Sequence, residues 1–428
     1  MAASEPIYCI YRIESPYPPE RAASALAASM SAGTFTKVPG ETELLRQRFS
    51  ATVVNVQPLE TVDCPTLPYW TDDPARGRGA PHYRADVTIA VPLDLAGTEL
   101  STLLSVVAGG VTEMRELSGI RLLDIRFPVS FAGLHPGPQF GVEGTRRLTG
   151  VYGRPIIASI IKPNVGLTPE QTAGMARSLA EAGVDFIKDD EKMTSPPYSP
   201  VERRAQTVMQ ALDEVAQRTG RKAMYAFNIS ADDPETLARR HDAVLAAGGL
   251  CVMVSINHIG YAGLRFLRQR SQLPIHAHRN GWGMLTRSPL LGMEFNAYSK
   301  IWRLVGVDQL HVNGIRNKYW EADESVVNAI QECLTPLFSP DDRLLPVVGS
   351  GMWAGQLPDT YRLTGTTDFM YIAGGGIQGH PGGPAAGVRS LLQAWDASVQ
   401  GIPLDEYARD HLELQQALDK FGKPHDPQ

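Results

Sequence analysis

The chain has 428 residues, 43% of them hydrophobic and 20% charged, with 40 Gly and 32 Pro spread along its length rather than clustered. That composition excludes disordered and fibrous readings. Forty basic against 46 acidic side chains leave a formal charge of -6, with no long run of either sign, which argues against a nucleic-acid partner. The longest nearly apolar stretch, Ala243 to Ile256, is too short to cross a bilayer, and the N-terminus MAASEPIYCIYR shows no leader pattern, so no membrane partner and a cytoplasmic location are expected. Cys9, Cys64, Cys251 and Cys333 have no paired-ligand spacing and read as small core residues.

In chain order, IYCIYRIES, FSATVVNVQPL, YRADVTIAVPL and IRLLDIRFP have strand character, while SPYPPERAASALAASMS and TELSTLLSVVAGG have helical character. Residues 1–140 therefore form an α+β domain, closed by the Gly/Pro-rich linker FAGLHPGPQFGVEG at 131–144. From there β-branched runs alternate with helical segments. The strand candidates are PIIASIIKP, VDFIKDDE, KAMYAFNIS, GLCVMVSIN, LPIHAHR, VDQLHVNG, LLPVVGSG and TDFMYIAGGG. Intervening stretches such as TPEQTAGMARSLAEAG and DPETLARRHDAVLAAG open on a capping residue plus proline and close on glycine. Eight such units predict an α/β fold with a (β/α)8 TIM barrel over 141–402, and DEYARDHLELQQALDKFG supplies a helical tail over 403–428.

In this fold the chemistry sits at the C-terminal ends of the strands. The first strand delivers Lys162, the second Lys188, Asp189, Asp190 and Glu191, the fifth His278 and Arg279, and the sixth His311. A two-residue period puts Lys188 and Asp190 on one face, with Glu191 just beyond. Asp190 and Glu191 suit a hard divalent ion such as Mg²⁺. The glycines of GSG at 349–351 and AGGGIQGHPGG at 373–383 suit a phosphate cradle, and Arg279 with His311 suits a second anion. Singly, each has an ordinary structural reading, as a rim ion pair or a turn glycine; together they converge on one mouth. A phosphorylated substrate with vicinal oxygens follows.

The segments VDFIKDDE, IIKPNVGLT, HAHRNG, DQLHVNG and AGGGIQGHPGG, with AASMSAGTFT and GIRLLDIRFP before the barrel, resemble the large subunit of ribulose-bisphosphate carboxylase along nearly the whole chain. The resemblance implies a CO₂-derived carbamate on Lys188 that joins Asp190 and Glu191 around Mg²⁺. It further implies proton transfer by Lys162, a metal-side His278 and a mobile Lys318 over the substrate. One phosphate would lie at Arg279 and His311, and the other at Gly351, Gly374 and Gly375 with Thr34. It also implies a homodimer in which Thr34 and Gly110 act at the partner's barrel.

The departures from the family pattern bear on function. Asn164 stands for a second lysine, Ser29 for the glutamate that anchors the loop lysine, and Gly110 for a metal-side asparagine. Ser350 and Gly349 exchange the phosphate-loop glycine and serine, and Trp282 replaces a histidine, which implies a reshaped pocket. The resemblance therefore points to the non-fixing, RuBisCO-like branch: a Mg-dependent isomerase or decarboxylase forming an enediolate from a phosphorylated keto-sugar or keto acid. The readings left open are a methylthioribulose-phosphate isomerase or enolase of sulfur salvage, a 3-oxo sugar-acid phosphate decarboxylase or hydrolase, a Schiff-base aldolase, and a non-catalytic binding protein. Gly110 offers no lysine base of the kind enolase members carry, which tilts the reading away from them.

Overall fold

Alternation builds the N-terminal sheet. β1 (Ile7–Ser15) turns Ile7, Cys9, Tyr11 and Ile13 to one buried face, and β3 (His82–Val91) answers with Ala85, Val87, Ile89 and Val91. β1 lies between β3 and β4 (Gly119–Arg126), antiparallel to both, and β2 (Thr52–Val62) forms the outer edge beyond β3. β2 is largely exposed and carries Pro58, which an edge strand tolerates because one side of its backbone needs no partner. The helices Pro19–Ser29 and Leu100–Ala108 cover the sheet's apolar face with Ala22, Ala23, Leu26, Leu103 and Val107.

The computed structural model describes residues 5–33, 38–68 and 79–422. They form two units: residues up to 135 together with 281–301, and residues 136–280 together with 302 onward. The return of 281–301 to the first unit is explained by β10 (Leu291–Met293), which pairs in parallel with β4 as the fifth strand of that sheet. A three-residue strand leaves no readable period. Two other segments also differ from the sequence expectation. The end of the glycine-rich linker is the start of a helix, Gly141–Thr149, and the tail breaks at His411 into Leu404–Tyr407 and Leu412–Phe421. Three cysteines are buried as expected, but Cys64, beyond the end of β2, is exposed.

Glu14 is the polar centre of the first unit. Its fully buried carboxylate accepts from Thr66 N (2.7 Å), Thr66 Oγ1 (2.6 Å), Ser118 Oγ (2.9 Å) and Arg84 Nε (2.9 Å). Burial alone would raise this carboxyl, but the Thr66, Arg84 and Ser118 donors outweigh it and hold it below the usual carboxylate range. Glu14→Gln should therefore cost about 3 kcal/mol at neutral pH. Because the folded carboxyl is the stronger acid, its contribution is present above the unfolded pKa and fades as the pH falls through the folded one. Urea melts at pH 7 and at pH 3 should show wild type and variant converging in acid, and a constant gap would refute the assignment.

The second unit is a closed parallel barrel. Its strands are β5 (Ile156–Ile160), β6 (Phe186–Lys188), β7 (Met224–Asn228), β8 (Cys251–Ser255), β9 (Ile275–His278), β11 (Gln309–Asn313), β12 (Leu345–Gly349) and β13 (Met370–Ile372). Ile156, Ala158, Phe186, Met224, Ala226, Cys251, Met253, Leu345, Val347, Met370 and Ile372 form one buried cluster inside it. Thr168 and Asp233 cap the following helices through Gln171 N and Thr236 N, with proline at the first helical position, as their sequences predict.

At the base of the barrel, acidic residues just before the strands gather backbone donors. Asp185 holds Arg154 through two bonds (2.6 and 2.9 Å), together with Arg221 and Ile157 N. Asp308 accepts from Gln139 N, Phe140 N, Gly141 N and Ile275 N and pairs with Arg268 at 2.8 Å. Among the described residues no helix is long and apolar enough to cross a membrane.

Candidate active site

The same alternation that fills the barrel sorts the four charges that begin at Lys188, the last residue of β6. Lys188 is fully buried, and its Nζ donates to the carbonyl of Asp189 (2.9 Å) and lies 3.6 Å from Met253 Sδ, a residue of the interior cluster. Asp189 points the other way, into the wall, where it accepts from Arg204 (3.0 Å), Tyr225 OH (2.6 Å) and Asn228 N (2.9 Å). Asp190 faces the mouth again and meets Lys162 at 3.3 Å. Arg204, itself fully buried, also holds the Thr194 and Ser199 carbonyls and so fixes the loop that follows Glu191.

Lys162 stands two residues beyond β5, after which comes a cis peptide bond to Pro163. Its ammonium donates to Asn164 Oδ1 at 2.6 Å as well as to Asp190. On the far side, His278 Nε2 approaches Glu191 Oε2 at 3.5 Å, and the ring of His278 lies 4.3 Å from that of His311. Burial, followed by the charge of Lys188, pushes His278 down to about 3, so it is a neutral ring. Arg279 donates to Glu321 Oε2 at 2.7 Å.

The glycines of the last two barrel loops border these groups. A Cβ on Gly374 would meet Lys162 Cε at 3.6 Å, and one on Gly351, whose φ is +92°, would meet the Lys318 side chain at 3.4 Å. Gly375 faces open space. The Lys318 backbone N–H donates to Ser350 O (3.1 Å), while its ammonium lies over the exposed Tyr319 ring. Ser350 itself has φ +78°, rare for a residue with a Cβ, and its Oγ donates to Asn313 Oδ1 at 2.7 Å.

Thus Lys162, Lys188, Asp190, Glu191, His278 and His311 converge, with Gly351 and Gly374 beside them. Thr34 lies outside the described residues. Ser29 is the exposed last residue of its helix, and Gly110 opens a short turn with nothing within 4 Å of an added Cβ. Trp282 is a packing residue of the first unit, its ring tilted against Tyr298 (4.5 Å) and edge-on to Phe295 (6.0 Å). Sequence reasoning missed Asn228, whose Nδ2 donates to the carbonyls of Asp190 (3.2 Å) and Glu191 (3.1 Å), and also His276, Gln309 and Glu321. A polar residue inside a barrel strand was the available signal for the first three.

The residues can be tested against a divalent metal. Among the described residues no three His, Cys, Asp or Glu side chains assemble as a metal-binding group. Asp190 and Glu191 offer two carboxylates beside a lysine, a donor set that becomes complete only if the lysine gains oxygen. Lys188 is suited to that change: burial lowers its amine to about 8, against the pull of Glu191 and Asp190, so a useful fraction is neutral and nucleophilic toward CO₂.

The models of the ribulose bisphosphate carboxylase large chain match residues 1–131 (N-terminal domain) and 141–421 (catalytic domain). The chain belongs to this family. Within it the chain is a RuBisCO-like enzyme. It is 53% identical over 413 residues to the 3-oxo-isoapionate-4-phosphate decarboxylase of Rhizobium rhizogenes, covering 96% of this chain and 97% of that one. It is 43% identical over 417 residues to the 3-oxo-isoapionate-4-phosphate transcarboxylase/hydrolase of Xanthobacter autotrophicus, covering 97% and 99%. A crystal structure of a rubisco-like protein from Burkholderia fungorum superposes with a TM-score of 0.91 at 42% identity, covering 98% of this chain and 100% of that one. A closed eight-stranded barrel preceded by a domain with a mixed sheet is the fold class expected from the sequence.

Proposed function

We propose that this RuBisCO-like enzyme decarboxylates a phosphorylated, branched 3-oxo sugar acid of the 3-oxo-isoapionate 4-phosphate type. The observation that carries the chemistry is Lys162, held by Asn164 (2.6 Å) against Asp190 (3.3 Å) beside the buried Lys188. Greater identity to the decarboxylase than to the transcarboxylase/hydrolase supports carbon dioxide release as the outcome.

Lys188, carrying a CO₂-derived carbamate, would hold Mg²⁺ together with Asp190 and Glu191. An ion held there would supply Lewis-acid stabilisation of negative charge developing on the substrate. The substrate's C–COO⁻ bond breaks, its electron pair passes to the neighbouring ketone oxygen, and Lys162 returns a proton to the carbon that lost CO₂. Asn164 orients that lysine. Gly351, Gly374 and Gly375 offer backbone N–H groups to the phosphate, with Thr34 from the partner, and Lys318 covers the mouth. Where the family pattern has a lysine, the neutral Asn164 removes a cation that would hold a carboxylate in place. Net carboxylation is accordingly absent.

We further propose a homodimer in which Thr34 and Gly110 serve the partner's barrel; a fully active monomer in gel filtration would refute it. Proton NMR in D₂O with Mg²⁺ and bicarbonate tests the reaction. The 3-oxo acid phosphate should lose CO₂ and yield a ketose phosphate carrying one solvent deuteron. Conversion of a ketose phosphate to its isomer, without CO₂ loss from the 3-oxo acid, would favour the isomerase reading instead.

A further inference from the structure

Gln309 and His276 are fully buried inside the barrel, level with apolar positions on neighbouring strands, and the proposed chemistry uses neither. They belong to a directed chain of hydrogen bonds. Thr145 gives its one hydroxyl proton to the carbonyl of Gly141 (2.7 Å), so its oxygen accepts from Gln309 Nε2 (3.1 Å). The amide is thereby oriented, and Gln309 Oε1 accepts from His276 Nδ1–H at 2.7 Å. His276 then has a bare Nε2, and His311 supplies the proton between the two Nε2 atoms, 2.9 Å apart. Burial lowers the basicity of both rings, which keeps each to one proton.

His311 consequently presents Nδ1 as an acceptor. That atom faces Gly349: a Cβ there would stand 4.0 Å from it and meet no other heavy atom within 4 Å. The family pattern places a serine at this position, so Gly349 leaves open the space a serine hydroxyl would fill. Arg279, on the neighbouring strand end, is charge-balanced by Glu321 at 2.7 Å, and the two side chains are only 6% and 1% exposed. A neutral acceptor nitrogen beside a compensated ion pair is a poor seat for a dianion and a good one for an O–H group.

We infer that the His311–Gly349 side of the mouth takes a hydroxyl-bearing, uncharged end of the substrate, and that Gln309, by fixing the tautomer of His311, selects sugar monophosphates over bisphosphates. This assignment rests on the sugar-phosphate reading of the site and departs from the second phosphate that the resemblance implies at Arg279 and His311. Gln309 is here a positioning residue.

Ribulose 5-phosphate and ribulose 1,5-bisphosphate differ at one end only, hydroxyl against phosphate. In calorimetric titrations of the Mg²⁺- and bicarbonate-loaded protein, the monophosphate should bind about tenfold tighter or better, and in Gln309→Leu the ratio should shrink to about threefold. Nitrogen-15 NMR of histidine-labelled protein should show His311 with a pyridine-like Nδ1 and a protonated Nε2, and a mixture of tautomers in Gln309→Leu. Gly349→Ser is the second variant, since Gly349 lies outside the left-handed region and has room for a Cβ. It should weaken the monophosphate about tenfold, and undiminished binding would overturn the placement of the hydroxyl end beside Gly349. A bisphosphate bound as tightly as the monophosphate, or a His311 carrying its proton on Nδ1, overturns the assignment even if CO₂ release stands. If neither sugar binds, the sugar-phosphate reading falls and this assignment falls with it.

Discussion

Lys188→Ala should abolish the proposed CO₂ release, by about 10⁴-fold or more, without unfolding the protein. The magnitude follows from what the substitution would remove under the proposed mechanism: the amine that would take up CO₂, and with it the third oxygen donor beside Asp190 and Glu191. The fold should survive, because the desolvation relieved by removing a fully buried amine offsets part of what is lost: the Asp189 carbonyl and sulfur contacts, the attraction of Asp190 and Glu191, and the packing of the stem. Two readouts accompany the rate. Carbon-13 bicarbonate should yield a carbamate resonance in wild type and none in the variant, and Mn²⁺ binding followed by electron paramagnetic resonance should weaken in parallel. A variant that retains turnover would remove Lys188 from the site.

Asp308→Ala should be the most destabilising single change in the barrel, at about 4 kcal/mol. The carboxylate satisfies the N–H groups of Gln139, Phe140 and Gly141, just where the helix Gly141–Thr149 begins. It also satisfies Ile275 N at the start of β9 and compensates the buried Arg268. Removal orphans four amides and leaves the charge of Arg268, whose guanidinium still bonds Gln139, Ser271 and Leu273, without its counter-ion. Guanidinium chloride titration measures the loss, and Asp308→Asn should recover only part of it, since a neutral amide accepts more weakly and does not balance Arg268. A cost below about 1 kcal/mol would show that water replaces the carboxylate easily.

The rim of the barrel was legible because strand ends advertise themselves: Lys162, Lys188, Asp190, His278 and His311 are charged or titratable residues at the last positions of β-branched runs. The inward and outward alternation of Lys188, Asp189 and Asp190 followed from strand geometry alone. What escaped was support that spans distance in sequence. Thr145 and Gln309 are 164 residues apart, and Arg279 finds Glu321 on a loop 42 residues later. Local pattern carries no information about such pairs. The strand Leu291–Met293 escaped for another reason, since three residues display no period, and the helix at Gly141 was hidden by glycines that resemble a linker. Trp282 packs against Tyr298 and Phe295, contacts that could not be foreseen from its place in the sequence.

The alternation of KDDE also limits how this chemistry can travel between proteins. Asp189 is as deeply committed to the wall as its neighbours are to the mouth, and it needs Arg204, Tyr225 and Asn228 to be there. Copied alone into another barrel, the tetrapeptide would bring a naked carboxylate into an apolar helix–strand seam. Slipped by one position, it would bury the wrong charge in the bore. The transplantable unit is the tetrapeptide together with the lining behind it, so ancestry should hold these distant positions together as one inherited block, and a designer must graft them together or not at all.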